Sequence, residues 1–178
     1  MLESVIEFWF EELEPEMWWR KSDDLDISIK QRFGKLRDCA AKGELFEWRK
    51  TAKGALAEVI LLDQFSRNIH RDTHRAFECD PLALALSQFA VSTGADQELS
   101  VNERNFLYMP YMHSESKLIH EEALRLFTEL GSPTNLEFEI KHKVIVDRFG
   151  RYPHRNEVLG RESTAEEIDF LKQDGSRF

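Results

Sequence analysis

The sequence predicts an all-α protein, and three observations carry that prediction. Apolar residues recur at helical spacing in the long segments, and those segments are bounded by capping residues and glycines. No stretch alternates apolar and polar residues between hairpin turns, so strands are not needed. About eight helices joined by short loops are expected, as antiparallel neighbours in a single helical domain over residues 1–178.

The elements follow in order. "SVIEFWFEEL" starts at a capping serine, Ser4, and puts Val5, Phe8 and Trp9 on one face. "DDLDISIKQRFGKLRDCAAKG" spaces Leu25, Ile29, Phe33 and Leu36 helically and stops at Gly43. "TAKGALAEVILLDQF" is apolar on most sides and is expected at the centre of the core. "DPLALALSQFAVSTG" offers Asp80 as a cap with Pro81 at the first helical position. Capping boxes are expected at Ser100 with Glu103 and at Ser163 with Glu166. Between them, "SESKLIHEEALRLFTELG" takes Ser114 as its cap, and "NLEFEIKHKVIVDRFG" runs to Gly150.

With 42% hydrophobic residues, 13 Phe and 4 Trp, a chain of this size buries roughly 70% of the surface it exposes when unfolded. Order is expected except at the last few residues. A net charge of -9 and a pI near 5.2 argue against nucleic acid and anionic membrane as partners. Cys39 and Cys79 have neither metal spacing nor a disulfide framework. "MLESVIEFWFEELE" is acidic throughout and unlike a signal peptide, and "ALAEVILL" is far short of the ~20 residues that span a bilayer. A cytoplasmic location is expected.

The arginines are sorted. Seven of the fourteen lie in "DQFSRNIHRDTHR" (63–75) and "DRFGRYPHRNEVLGRE" (147–162), two stretches without a lysine in a chain that has ten. Solubility does not distinguish Arg from Lys. What does is the rigid, planar donor fork that grips carboxylate or phosphate bidentately. The stretches are therefore expected to form two walls of one anion pocket, with Arg67, Asn68, Arg71, His142, Arg148, Arg151, His154, Arg155 and Asn156 as ligand-binding candidates. A structural network is the alternative. Asp63 and Arg67 stand at i and i+4, and Asp72, Asp147, Glu157 and Glu162 offer further pairs.

Catalytic candidates are His113, Glu115, Asp63 and His154, as general acids or bases facing such a pocket. "HSE" at 113–115 is not a triad, because consecutive residues point apart. His70 and His74 have the spacing of two metal ligands but lack a clear third, and neighbouring arginines repel cations, so no metal and no cofactor are expected. The aromatic set Phe8, Trp9, Phe10, Trp18, Trp19 and Trp48 reads as packing material. Expected partners are an anionic small molecule or, alternatively, an acidic peptide or protein C-terminus. An enzyme acting on an anionic substrate is the third reading.

"LLDQFSRNIHRDTHRAFECDPLAL", "FLYMPYMHSE" and "RFGRYPHRNEVLGRESTAEEIDFL" resemble the bacterial family catalogued as domain of unknown function 924. "FWF…P..WW" and "RFGKL" fit it too, so the resemblance spans nearly the whole chain. It implies a tetratricopeptide-like stack of helical hairpins and carries no activity. Its signature positions map to Asp63, Gln64, Arg67, Asn68, His113, Ser114, Glu115, His142, Arg148, Gly150, Arg151, Pro153, His154, Arg155 and Asn156. Ser66 and His74 depart from it, standing where the family often has proline.

Overall fold

A computed structural model describes residues 1–176; the tail at Arg177 and Phe178, where order was not expected, lies outside the described residues. α1 (Leu2–Glu7) runs into a π-helical turn at Phe8–Glu12 and buries the expected Val5, Phe8 and Trp9. Ser4 is not its cap. The apolar stripe reaches back to Leu2, which packs on the core, so Ser4 lies inside the helix and its hydroxyl donates to the Met1 carbonyl at 2.7 Å. α2 (Asp23–Ala41) is capped by Ser22 and buries Leu25, Ile29 and Phe33. Gly43 follows with φ 72°, a left-handed turn that suits a residue without Cβ.

α3 (Ala52–Leu62) and α4 (Gln64–Ile69) are two arms of one rod, bent at Asp63. α5 (Asp80–Ser92), α6 (Val101–Met112), α7 (Lys117–Leu130), α8 (Pro133–Phe149) and α9 (Ala165–Phe170) complete the chain. The described residues thus form eight rods and no strand, which is the all-α architecture expected. The box of Ser100 and Glu103 caps α6, but the one before α9 is shifted by one residue, to Thr164 and Glu167. α7 is preceded by Ser116 rather than Ser114, because Glu115 is drawn out of the helix by a bond to the Tyr152 amide at 2.7 Å.

Every residue of α3 from Gly54 to Leu62 is buried, as its apolar run requires. α1, α2, α5 and α6 all pack on it. A strictly sequential stack would give each hairpin contacts only with its neighbours; here α3 is shared by helices before and after it, whereas α6, α7 and α8 pack on one another in chain order. Its lone acid, Glu58, is fully buried and gripped by Arg49 through two bonds of 2.7 and 2.8 Å.

Gly54 is where α3 comes closest to the preceding turn. A Cβ there would stand 2.0 Å from the Trp48 carbonyl oxygen, a contact that only a backbone shift relieves. Gly54→Ala is expected to destabilise the fold by about 1–3 kcal/mol or more, the usual range for overpacking, despite alanine's better helix propensity. Urea denaturation reads this directly, and a neutral or stabilising result would show that the turn yields freely.

Candidate anion-binding site

The first arginine stretch is positioned by the bend at Asp63. The bend there starts α4, which carries Gln64 and Arg67, three apart on one face, to the wall of a cavity. Asp63 is fully buried. Its carbonyl and its Oδ1 each accept from Arg67 Nη1 at 2.9 Å, its Oδ2 from Gln64 Nε2 at 2.6 Å, and its Oδ1 also lies 2.8 Å from His113 Nδ1. Burial would push this carboxyl up, but Arg67, His113 and the Gln64 bond overcome it and hold it far below the usual carboxylate range.

Asp80 is not the helix cap that the Asp-Pro pair suggested. It lies within the first turn of α5, and its carboxylate takes Arg67 bidentately, at 2.9 Å on each oxygen. The same Oδ2 accepts from Arg155 Nη1 at 3.3 Å. One carboxylate therefore serves guanidiniums from both arginine stretches, which meet in space at Arg67 and Arg155.

Arg155 is only 7% exposed. It comes from the 3-10 turn Pro153–Arg155, with its guanidinium 4.6 Å from the Phe77 ring centre and 4.7 Å from that of Tyr152. Its Nε is buried and has no hydrogen-bond partner among the described residues. Burial and the neighbouring Arg67 lower its pKa from the arginine value. Arg71 and Asn68 are held from behind by Asp26: Arg71 through bonds of 2.6 and 2.8 Å, Asn68 through one of 2.8 Å.

These side chains wall a cavity of about 420 Å³. Its cations are Arg20, Lys21, Arg67, Arg71 and Arg155. Gln64, Asn68 and His113 add polar groups, and Trp18, Trp19, Met109 and Phe138 complete the wall. No carboxylate lines it. Three acids stand behind the arginines, Asp63 and Asp80 behind Arg67 and Asp26 behind Arg71, while the exposed Asp72 pairs with Lys21 at 3.2 Å.

A second, more apolar cavity of about 560 Å³ shares Arg155 and His113 with the first and is otherwise lined by Phe77, Pro81, Leu84, Pro110, Ile119 and Leu159, together with polar groups that include Glu115 and Asp80. A third, of about 240 Å³, is lined by Arg67, Arg71 and His154 among others.

The candidates named from sequence fall into two groups. Arg67, Asn68, Arg71 and Arg155 are brought together on the cationic cavity with the catalytic candidate His113, while Asp63 stands behind them. His154 lines the neighbouring small cavity. Arg148, Arg151 and Asn156 line none of the three. Arg148 pairs with Glu166 at 2.7 Å, and Arg151 grips Glu167 at 2.7 and 2.8 Å. The Asn156 amide donates to Ser163 and Glu167 at 3.0 and 3.3 Å. Arg148 thereby ties the end of α8 to α9, and Arg151 and Asn156 tie the 150–164 loop to it. Here the structural alternative describes what these residues do.

Glu115 lies on the wall of the apolar cavity, but Arg161 takes both its oxygens at 2.7 and 2.9 Å, so its lone pairs are engaged. His142 is buried behind the site. Its Nδ1–H donates to the Phe138 carbonyl at 2.8 Å, with its ring centre 6.5 Å from that of His113.

Asp80, Asp26, Trp18, Trp19, Arg20, Lys21 and Phe138 were not named as site residues. The "WWRK" at 18–21 is the signal that could have found four of them, since it sets two indoles beside two cations. Among the described residues no group of three or more His, Cys, Asp or Glu is placed to hold a metal. None of the described helices is long and apolar enough to cross a membrane.

An all-helical chain in which Arg67 and Arg155 share the Asp80 carboxylate beside a cation-lined cavity is the class that fold and site define. The model of a family described as bacterial proteins of unknown function, DUF924, matches residues 5–175, and the chain belongs to that family. Among solved structures it is similar to a protein of unknown function from Agrobacterium tumefaciens, ATU0120, with 36% identity, a TM-score of 0.92 and coverage of 96% of each chain. No curated protein matches the chain.

Proposed function

We propose that this protein binds a small molecule bearing a carboxylate or phosphate in the cavity of Arg67, Arg71 and Arg155. The observation that carries this reading is the sorting of charge across the wall: five cations face the cavity and no carboxylate does, although acids hold the arginines from behind. A network built only for stability has no reason to keep its acids off one surface. The buried Nε–H of Arg155, without a protein partner, adds an unmet donor. Burying such a donor costs about 1–3 kcal/mol, and an oxyanion arriving from the cavity would recover it.

The test is a thermal-shift screen with phosphorylated metabolites, dicarboxylates and acidic peptides, on the wild type and on Arg71→Gln, whose side chain is partly exposed and whose loss spares the core. A ligand at 100 times its Kd should stabilise the wild type by about 2.7 kcal/mol, and the variant markedly less. No shift from any compound would sink the reading.

A second reading rests on one bond. Asp63, held ionised, can only accept, so His113 Nδ1–H donates to it. Burial and Arg67 lower the His113 pKa, against the opposing pull of Asp63, which leaves the ring neutral with an unprotonated Nε2. An imidazole oriented by a carboxylate on the wall of an anion site is the arrangement of a general base. If it acts as one, His113→Gln abolishes turnover of a ligand found in the screen while binding persists. Unchanged turnover in that variant would leave the protein a binder.

A further inference from the structure

We infer that the anion bound in this cavity is carried on a planar aromatic or heteroaromatic ring, which lies against Trp19 and Phe138. The inference rests on the anion reading above and adds the class of molecule.

Its evidence is independent of the charges. Trp19 is 60% exposed and Phe138 47% exposed, and both line the cationic cavity. They reach it from opposite ends of the sequence: Trp19 from the turn before α2, Phe138 from α8. The chain buries Trp9, Phe65, Phe106 and Phe127 almost completely and leaves Trp19, Phe46, Phe89 and Phe138 open to water; of these, Trp19 and Phe138 share their cavity with the cluster of cations.

The Trp19 indole is also held in place. It lies nearly parallel to the Phe106 ring, at 5.9 Å and 11°, and edge-on to Trp18 at 6.4 Å. Trp18 in turn is anchored by its Nε1–H to the Trp9 carbonyl at 2.8 Å. A ring braced in this way loses little freedom when a second ring stacks on it. Arg20 and Lys21 follow directly in the chain and line the same cavity, so stacking surface and positive charge are delivered together, the combination that holds an aromatic anion. An alkyl chain would need an aliphatic wall, and this one has only Met109.

Titration calorimetry with two matched pairs tests the inference: AMP against ribose 5-phosphate, and benzoate against cyclohexanecarboxylate. Each pair keeps the anion and removes the planar ring. In at least one pair the aromatic member is expected to bind about ten-fold or more tightly, the low end of stacking on one side chain. Trp19→Ala should abolish that advantage and leave the saturated partner's affinity unchanged. Phe138→Ala serves as a second variant, with a thermal melt confirming that each is folded. The pair that responds tells phosphate from carboxylate.

Equal affinities within both pairs, with no effect of Trp19→Ala, would overturn the ring and leave the anion site standing, provided Arg71→Gln weakens all binders. Binding of none of the four overturns the ring as well, and the broader screen then decides the anion site.

Discussion

Replacing Arg67 with methionine is expected to cost the fold about 3–5 kcal/mol, the penalty for stripping one partner from a buried ion pair. Asp63 and Asp80 would lose four hydrogen bonds between them, and the Asp63 side chain, only 1% exposed, has no water to turn to. For a chain of 178 residues this corresponds to a fall in Tm of roughly 10 °C. Urea denaturation measures it. Asp63→Asn in the same background should return part of the loss, since the orphaned charge is then gone. If Arg67→Met falls within 1 kcal/mol of wild type, the two carboxylates do not depend on it.

Acid should begin to weaken the protein above the ordinary carboxylate range, through His142. Burial holds this imidazole near a pKa of about 3, against an ordinary 6.5, with His113, His120 and Arg155 adding to the effect and the Phe138 carbonyl opposing it. In the fold the ring stays neutral; in the unfolded chain it takes up a proton below 6.5. The unfolded state therefore binds more protons between pH 6.5 and 3, and stability falls as pH falls through that window. At 1.36 kcal/mol per pH unit, the full loss comes to about 5 kcal/mol at pH 3. His142→Phe keeps the ring and should remove about one proton from the slope between pH 4 and 6. Identical slopes in denaturation midpoints would show that His142 is already charged, or is never charged, in both states.

The helices were legible because their signal is repeated. Val5, Phe8 and Trp9, or Leu25, Ile29 and Phe33, each state the same face several times. Caps are stated once, and there the reading slipped by one residue at Thr164 and by two at Ser116. Serine, threonine and glutamate recur closely enough that tertiary partners, such as the Tyr152 amide for Glu115, choose among the candidates. Arg67 and Arg155 were legible as a pair because arginine replaces lysine around both. Arg148 and Arg151 share that composition, but composition carries no direction: Arg148 ends α8 and Arg151 follows Gly150, and Glu166 and Glu167 of α9 claim them both. Asp80 was hidden by its own plausibility, since Asp before Pro is a good cap and only the fold brings Arg67 and Arg155 to it. Trp18 does pack on the core, as read; Trp19 was read as packing material too and is 60% exposed, because a sequence says that a ring is apolar and not whether anything covers it.

The layering of charge around the cavity has a kinetic consequence. Cations at the wall and acids one layer behind nearly cancel when viewed from afar, and what remains is the field of a molecule with a net charge of -9. At low ionic strength, where the Debye length reaches ~30 Å at 0.01 M, an approaching anion is pushed away at range. Attraction begins only at the mouth, where the nearer layer dominates. Moderate salt should then hasten the arrival of a small anion by screening the repulsion at range, the reverse of the salt response of a basic, steering surface. The longer and more charged the anion, the more of it stays in the repulsive zone. On the anion reading proposed above, polyanions are expected to arrive more slowly at low salt than a small anion that fits wholly inside.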